Sequence, residues 1–143
     1  MYESYSKQAL PDKLYRELIG SALCVFNANN QFVIENILRF DETRNINWRS
    51  LIDKSSTAVK DIISETIISE DCNEIQDLFY EIIKMRNRII HSFQITIDDK
   101  QMLGTKEKEK DGGKIFVIDE NYLMKFIKLN EILSEKLHDL RGF

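Results

Sequence analysis

Little in this chain interrupts a helix. One proline and five glycines in 143 residues leave few places where the backbone must turn sharply. That scarcity argues against a low-complexity disordered chain and against a β-sandwich with its frequent turns. Cysteine is also scarce. Cys24 and Cys72 lack metal-ligand spacing; two cysteines could form a bridge, but in a helical chain without a signal both are expected to be reduced. No apolar run approaches the roughly 20 residues of a membrane span. The opening MYESYSKQAL lacks a basic start followed by an apolar run, so no secretory signal is expected and the location is taken as cytoplasmic. An excess of basic charge is missing too. Twenty Lys and Arg against 24 Asp and Glu give a formal charge of -4. Any contact with nucleic acid must therefore rest on a local basic cluster and depend on salt.

What is present is apolar and charged residue. At 43% hydrophobic and 31% charged, the chain can bury a core and solvate the outer faces of long helices. The expectation is one domain over residues 1–143, mainly all-α: an antiparallel bundle of four to five helices with a small β-hairpin or β-arm before the last helix.

Residues 1–10 read as an irregular leader, and Pro11 suits a helix start. Leu14, Leu18, Ala22 and Val25 recur at helical spacing, and Phe32, Val33, Ile37 and Phe40 resume it. Asn27, Asn29 and Asn30 are poor helix formers, leaving open one helix over 11–40 or two. Residues 41–47 form a polar connection. Trp48, Leu51, Ile52, Val59, Ile62, Ile63 and Ile67 give the stripe of a helix over 47–68. A further helix starts near Asp71, where Asp71 and Glu74 read as a variant capping box, and runs through Phe93. QITI (94–97) and KIFVI (114–118) are β-type runs around an exposed TKEKEK and DGG stretch, so 94–118 reads as a mobile β-arm. Asp119 can cap a last helix over 120–141, with Gly142 as its stop.

The segment that carries chemistry is MRNRIIHSF, residues 85–93. At about 100° per residue, the apolar positions of the helix from Asp71 cover an arc of roughly 160°. Arg86 falls inside that arc. Asn87, His91, Lys84 and Tyr80 fall on its polar border. So broad an arc points to burial on more than one side, such as a bundle core plus a second subunit. An arginine inside it needs an anion or acceptors, because an unpaired buried charge is costly. A phosphate suits its planar fork, and a carboxylate would serve equally well. His91 can also be a plain helix-end residue favoured by the dipole.

The Arg86-Asn87-x-x-x-His91 pattern late in a long helix resembles the R-x(4–6)-H motif of the HEPN superfamily. The likeness is close over 85–93 and loose over the helical framework; the β-arm and the acidic charge are not family features. The resemblance implies a homodimer whose motif helices meet. It implies either a metal-independent endoribonuclease of toxin–antitoxin or defence systems, with an antitoxin or other protein partner, or an inactive relative that binds protein or RNA. Arg86, His91 and Asn87 are then the expected catalytic residues. Residue chemistry fits that role. When an RNA 2′-OH attacks the adjacent phosphate, one group takes a proton and another gives one, and histidine titrates in range for either. Arginine stabilises charge on the phosphoryl oxygens. Arg88 and Lys84 are candidates for holding phosphates, and Tyr80 for stacking on a base. His138 reads as a surface residue near a helix end.

No cofactor or metal is expected. The phosphate-binding glycine loops G-x-x-x-x-G-K-[ST] and G-x-G-x-x-G are absent, as is a zinc-type His/Cys cluster.

Overall fold

The computed structural model describes residues 1–67 and 71–142. Ile68, the last residue of the helix expected over 47–68, lies outside them. Five α-helices and five short strands in two antiparallel sheets follow one another among the described residues. The mainly helical expectation holds. The single hairpin does not, because there are two sheets.

The first departure is at the start. Tyr2–Glu3 (β1) pairs with Gln8–Ala9 (β2), so the expected leader is a hairpin. Its turn places Lys7 at φ 57°, and Arg16 clamps it through an ion pair to Glu3 at 2.8 Å.

Lys13–Phe40 (α1) is one 28-residue helix, with Pro11 just ahead of it. Of the asparagines that left its continuity open, Asn29 and Asn30 are held by other elements, Asn30 accepting the Ser56 hydroxyl through Oδ1 at 3.1 Å. Buried Asn29 donates through Nδ2 to the backbone oxygen and Oδ1 of Asn130 at 2.8 and 3.0 Å. Asn36 donates to the Phe32 carbonyl at 2.9 Å. The Asn130 partner offsets the polar cost of burying Asn29, whereas the buried Asn36 Oδ1 has no partner among the described residues. The inner face follows the expected one in part: Ala22, Val33 and Ile37 are buried, but Tyr15, Phe26 and Ile34 join them while Leu14 is 69% exposed.

The helix expected over 47–68 is two, Trp48–Ile52 (α2) and Ser56–Thr66 (α3). Ser55 interrupts them because its hydroxyl accepts the Ala58 N–H at 3.2 Å as an N-cap. Leu51 is fully buried, while Trp48 and Ile52 are exposed.

Cys72–Ile90 (α4) carries the motif. Asp71 sits at its N-cap without a side-chain capping bond. Glu74 instead pairs with Lys136 at 2.7 Å, so the capping box does not form. Phe93 leaves the helix and opens Phe93–Ile97 (β3).

Then comes an antiparallel meander, with Lys100–Lys106 (β4) between β3 and Ile115–Ile118 (β5). Asp98 and Asp99 have φ 51° and 62°, the positive values of a two-residue hairpin turn. Gly104 lets the Phe93 ring lie close over β4, since a Cβ there would meet that ring at 2.9 Å and push it aside. The sheet is not a free arm. The Tyr15 hydroxyl donates to the Ile118 carbonyl and accepts the Leu103 N–H at 3.2 Å, and Ile118 and Thr105 are buried.

Asp119 caps Glu120–Arg141 (α5), accepting the Tyr122 N–H at 2.8 Å, and Gly142 closes it at φ 90°. Both features follow the sequence. The core runs between α1, α4 and α5, where Phe26 stacks on Phe79 and Phe126 with centroids 6.2 and 6.3 Å apart. Cys24 and Cys72 are free thiols. No helix among the described residues is long and apolar enough to cross a membrane.

Candidate functional site

The motif residues divide between two sides of α4. Arg86 turns inward. Its guanidinium lies 4.7 Å from the centroid of the Phe26 ring, and its buried Nε has no hydrogen-bond partner among the described residues. No carboxylate lies within ion-pair distance of it among the described residues. Burial pushes its pKa down from the ordinary value. The carboxylate that the sequence left open as a partner is absent among the described residues, and an aromatic face that neither expectation named lies against the guanidinium instead.

His91 is the C-cap of α4 and is exposed. Its backbone N–H donates to the Asn87 carbonyl at 2.9 Å. No side-chain hydrogen bond joins Asn87 to the imidazole among the described residues. Exposed Ile90 and Phe93 flank it, at 51% and 47%.

Asn87, Lys84, Arg88 and Tyr80 face elsewhere. All four line a cleft of about 280 Å³ between α4 and the segment joining β4 to β5. Arg88 reaches across and donates through Nη1 to the Lys106 carbonyl, fastening the segment to the helix. The cleft has an aromatic wall in Phe116 and Tyr122, whose centroids are 5.4 Å apart. The Tyr122 hydroxyl donates to the Met85 carbonyl at 3.3 Å. Burial drives its pKa up to about 12; Arg88 opposes the rise and Glu107 adds to it. Tyr122 is therefore a phenol, and a donor, throughout the physiological range.

Tyr80 does not offer the free ring expected of a base-stacking residue. Lys60 and Lys84 place their ammonium groups 4.5 and 4.9 Å from its centroid. Lys84 is also paired with Glu81 at 3.0 Å, which raises its pKa. His138 is exposed, with its ring against Phe32 at 4.7 Å.

One chain thus brings together Tyr80, Lys84, Asn87 and Arg88, but places neither Arg86 nor His91 in their cleft. Phe26, Phe116 and Tyr122 were missed in the sequence. Phe26 follows Ala22 by four residues, a spacing that could have found it; nothing local marks Phe116 or Tyr122 as neighbours of α4. Among the described residues, no group of three or more His, Cys, Asp or Glu side chains is placed to hold a metal ion. No protein-family model, no curated protein and no solved structure matches this chain.

Proposed function

We propose that this protein is a HEPN-like endoribonuclease that works as a homodimer in a bacterial toxin–antitoxin or defence setting, cutting RNA by attack of its own 2′-OH. The observation that carries this reading is Arg86. Its charge is kept half-buried against Phe26 and, among the described residues, has no carboxylate partner and an unsatisfied Nε. A structural ion pair would have a partner; a guanidinium kept for a phosphate does not need one in the free protein. His91, five residues on and exposed, is the proton-transfer group. A two-fold axis near the C-terminal end of α4 would bring two Arg86–His91 pairs into one cleft, with Ile90 and Phe93 as apolar contacts at the seam.

The test is cleavage of a fluorogenic RNA in EDTA, with light scattering at micromolar concentration on the same sample. A dimer should release 2′,3′-cyclic phosphate and 5′-OH ends, and Arg86→Ala and His91→Ala should each abolish release. A clean monomer, or magnesium-dependent cleavage leaving 5′-phosphate, would contradict the mechanism.

A second reading has its own support. Asn87 faces the cleft with Tyr80, Lys84 and Arg88, away from Arg86. That division favours a catalytically silent HEPN-like module that binds a protein partner or RNA. RNA binding without cleavage, unchanged in His91→Ala, would select it.

A further inference from the structure

We propose that the cleft between α4 and the β4–β5 segment binds a single nucleotide unit, its base against the Phe116–Tyr122 pair and its phosphate between Arg88, Lys108 and Lys110. This site is separate from the proposed cleavage chemistry, because neither Arg86 nor His91 lines it.

The charges call for an anion. Lys84, Arg88, Lys108 and Lys110 line the cleft together with Glu81, Glu107 and Asp111. Two of those acids are already engaged. Glu81 is held by Lys84 at 3.0 Å, and Glu107 accepts the backbone N–H of Lys114 at 3.3 Å. Arg88, Lys108 and Lys110 have no carboxylate within ion-pair distance among the described residues. Arg88 spends one donor on the Lys106 carbonyl, which fixes its position and leaves the rest of its fork for an oxyanion. Asp111 is the third acid, so four basic and three acidic side chains leave this lining basic by one charge, in a chain of charge -4.

The walls call for a flat apolar group beside that anion. Phe116 and Tyr122 form a tilted pair, and Ile83 and Met85 continue the apolar lining. Tyr80 cannot take this part, since two ammonium groups occupy its ring. Asn87, Thr57 and Glu107 supply donors and acceptors at the edge for the polar rim of a base. A volume of about 280 Å³ is near the lower end of small-ligand sites and admits one nucleotide, not a duplex. The same chemistry is presented by a free mononucleotide and by the phosphorylated end of an RNA strand.

Calorimetric titration of the full chain at fixed salt tests this, with AMP, CMP, GMP, UMP, the four nucleosides and inorganic phosphate as probes. At least one monophosphate should bind with a dissociation constant below about 1 mM, and its nucleoside and inorganic phosphate should each bind at least about tenfold more weakly. The double variant Lys108→Glu/Lys110→Glu alters only exposed side chains, so it should keep the helical circular dichroism and weaken binding about tenfold or more. A 5′-phosphorylated tetraribonucleotide that binds more tightly than the monophosphate identifies an RNA end as the source; equal or weaker binding identifies a free nucleotide. The proposal is overturned if no monophosphate binds below about 1 mM, if phosphate alone binds as tightly, or if the folded double variant binds unchanged. The readout needs no cleavage, so its outcome does not depend on Arg86 or His91.

Discussion

Arg86 and Arg88 stand two residues apart on α4 and meet opposite surroundings. Arg88 lies across the cleft, with its guanidinium on a backbone carbonyl and near other charges. Arg86 lies on the inner side against Phe26, whose own ring stacks on Phe79 and Phe126. A helix turns by about 100° per residue, so two steps carry a side chain from one environment to another. The same residue type can therefore act as a fastener on one face and as a stored charge on the other. In a helix that is apolar over so broad an arc, the unusual arginine is the one without a polar partner.

The comparison breaks most visibly in activity. If Arg86 and His91 carry the chemistry, Arg86→Ala and His91→Ala should each lower RNA cleavage by about 100-fold or more. Arg88→Ala should instead lower it modestly, through substrate affinity. Equal losses in all three would erase the distinction between the two faces.

Next in size is the link that holds the cleft's far wall. Tyr15→Phe leaves the Leu103 N–H and the Ile118 carbonyl without their shared hydroxyl. Urea melts should show a loss of about 1–3 kcal/mol. A neutral result would mean that apolar contacts alone hold the sheet.

Arg86→Met sharpens the inner side. Removing the charge ends its desolvation, and also ends a cation–π contact worth about 0.5–2 kcal/mol. The two oppose each other, so stability should stay within about 1 kcal/mol of wild type. A loss of several kcal/mol is what stranding a buried carboxylate would produce, and would reveal an ion-pair partner for Arg86.

The smallest effect belongs to Tyr122 on the cleft side. Its folded-state pKa of about 12 lies above the ordinary 10.0, so its protonated form contributes stability that is complete below pH 10. That contribution should fade as pH rises from 10 toward 12, while the unfolded chain ionises first. Thermal melts across this range should fall less steeply in Tyr122→Phe than in wild type. Parallel slopes would show that the phenol is not desolvated.

Local chemistry was legible wherever one segment sufficed. Asp119 and Gly142 bound α5 because a carboxylate N-cap and a glycine with positive φ need no distant partner. The helical period of α4 and the position of Arg86 within its apolar arc were equally readable, since both depend on spacing alone. Other features depended on groups far along the chain. Asn130 of α5 satisfies Asn29 and lets α1 continue, whereas Ser55 competes for the backbone and divides α2 from α3. β4 has few strand-favouring residues, and the sheet forms because Tyr15 and the core hold it. The sequence by itself determined a mainly helical chain with an arginine inside an apolar arc and a histidine five residues on. Only tertiary structure decided that Phe26 faces that arginine, and that Asn87 and Arg88 turn toward Phe116 and Tyr122. Spacing fixes the direction of a side chain from its own helix, but what stands in that direction is set by the packing of other elements.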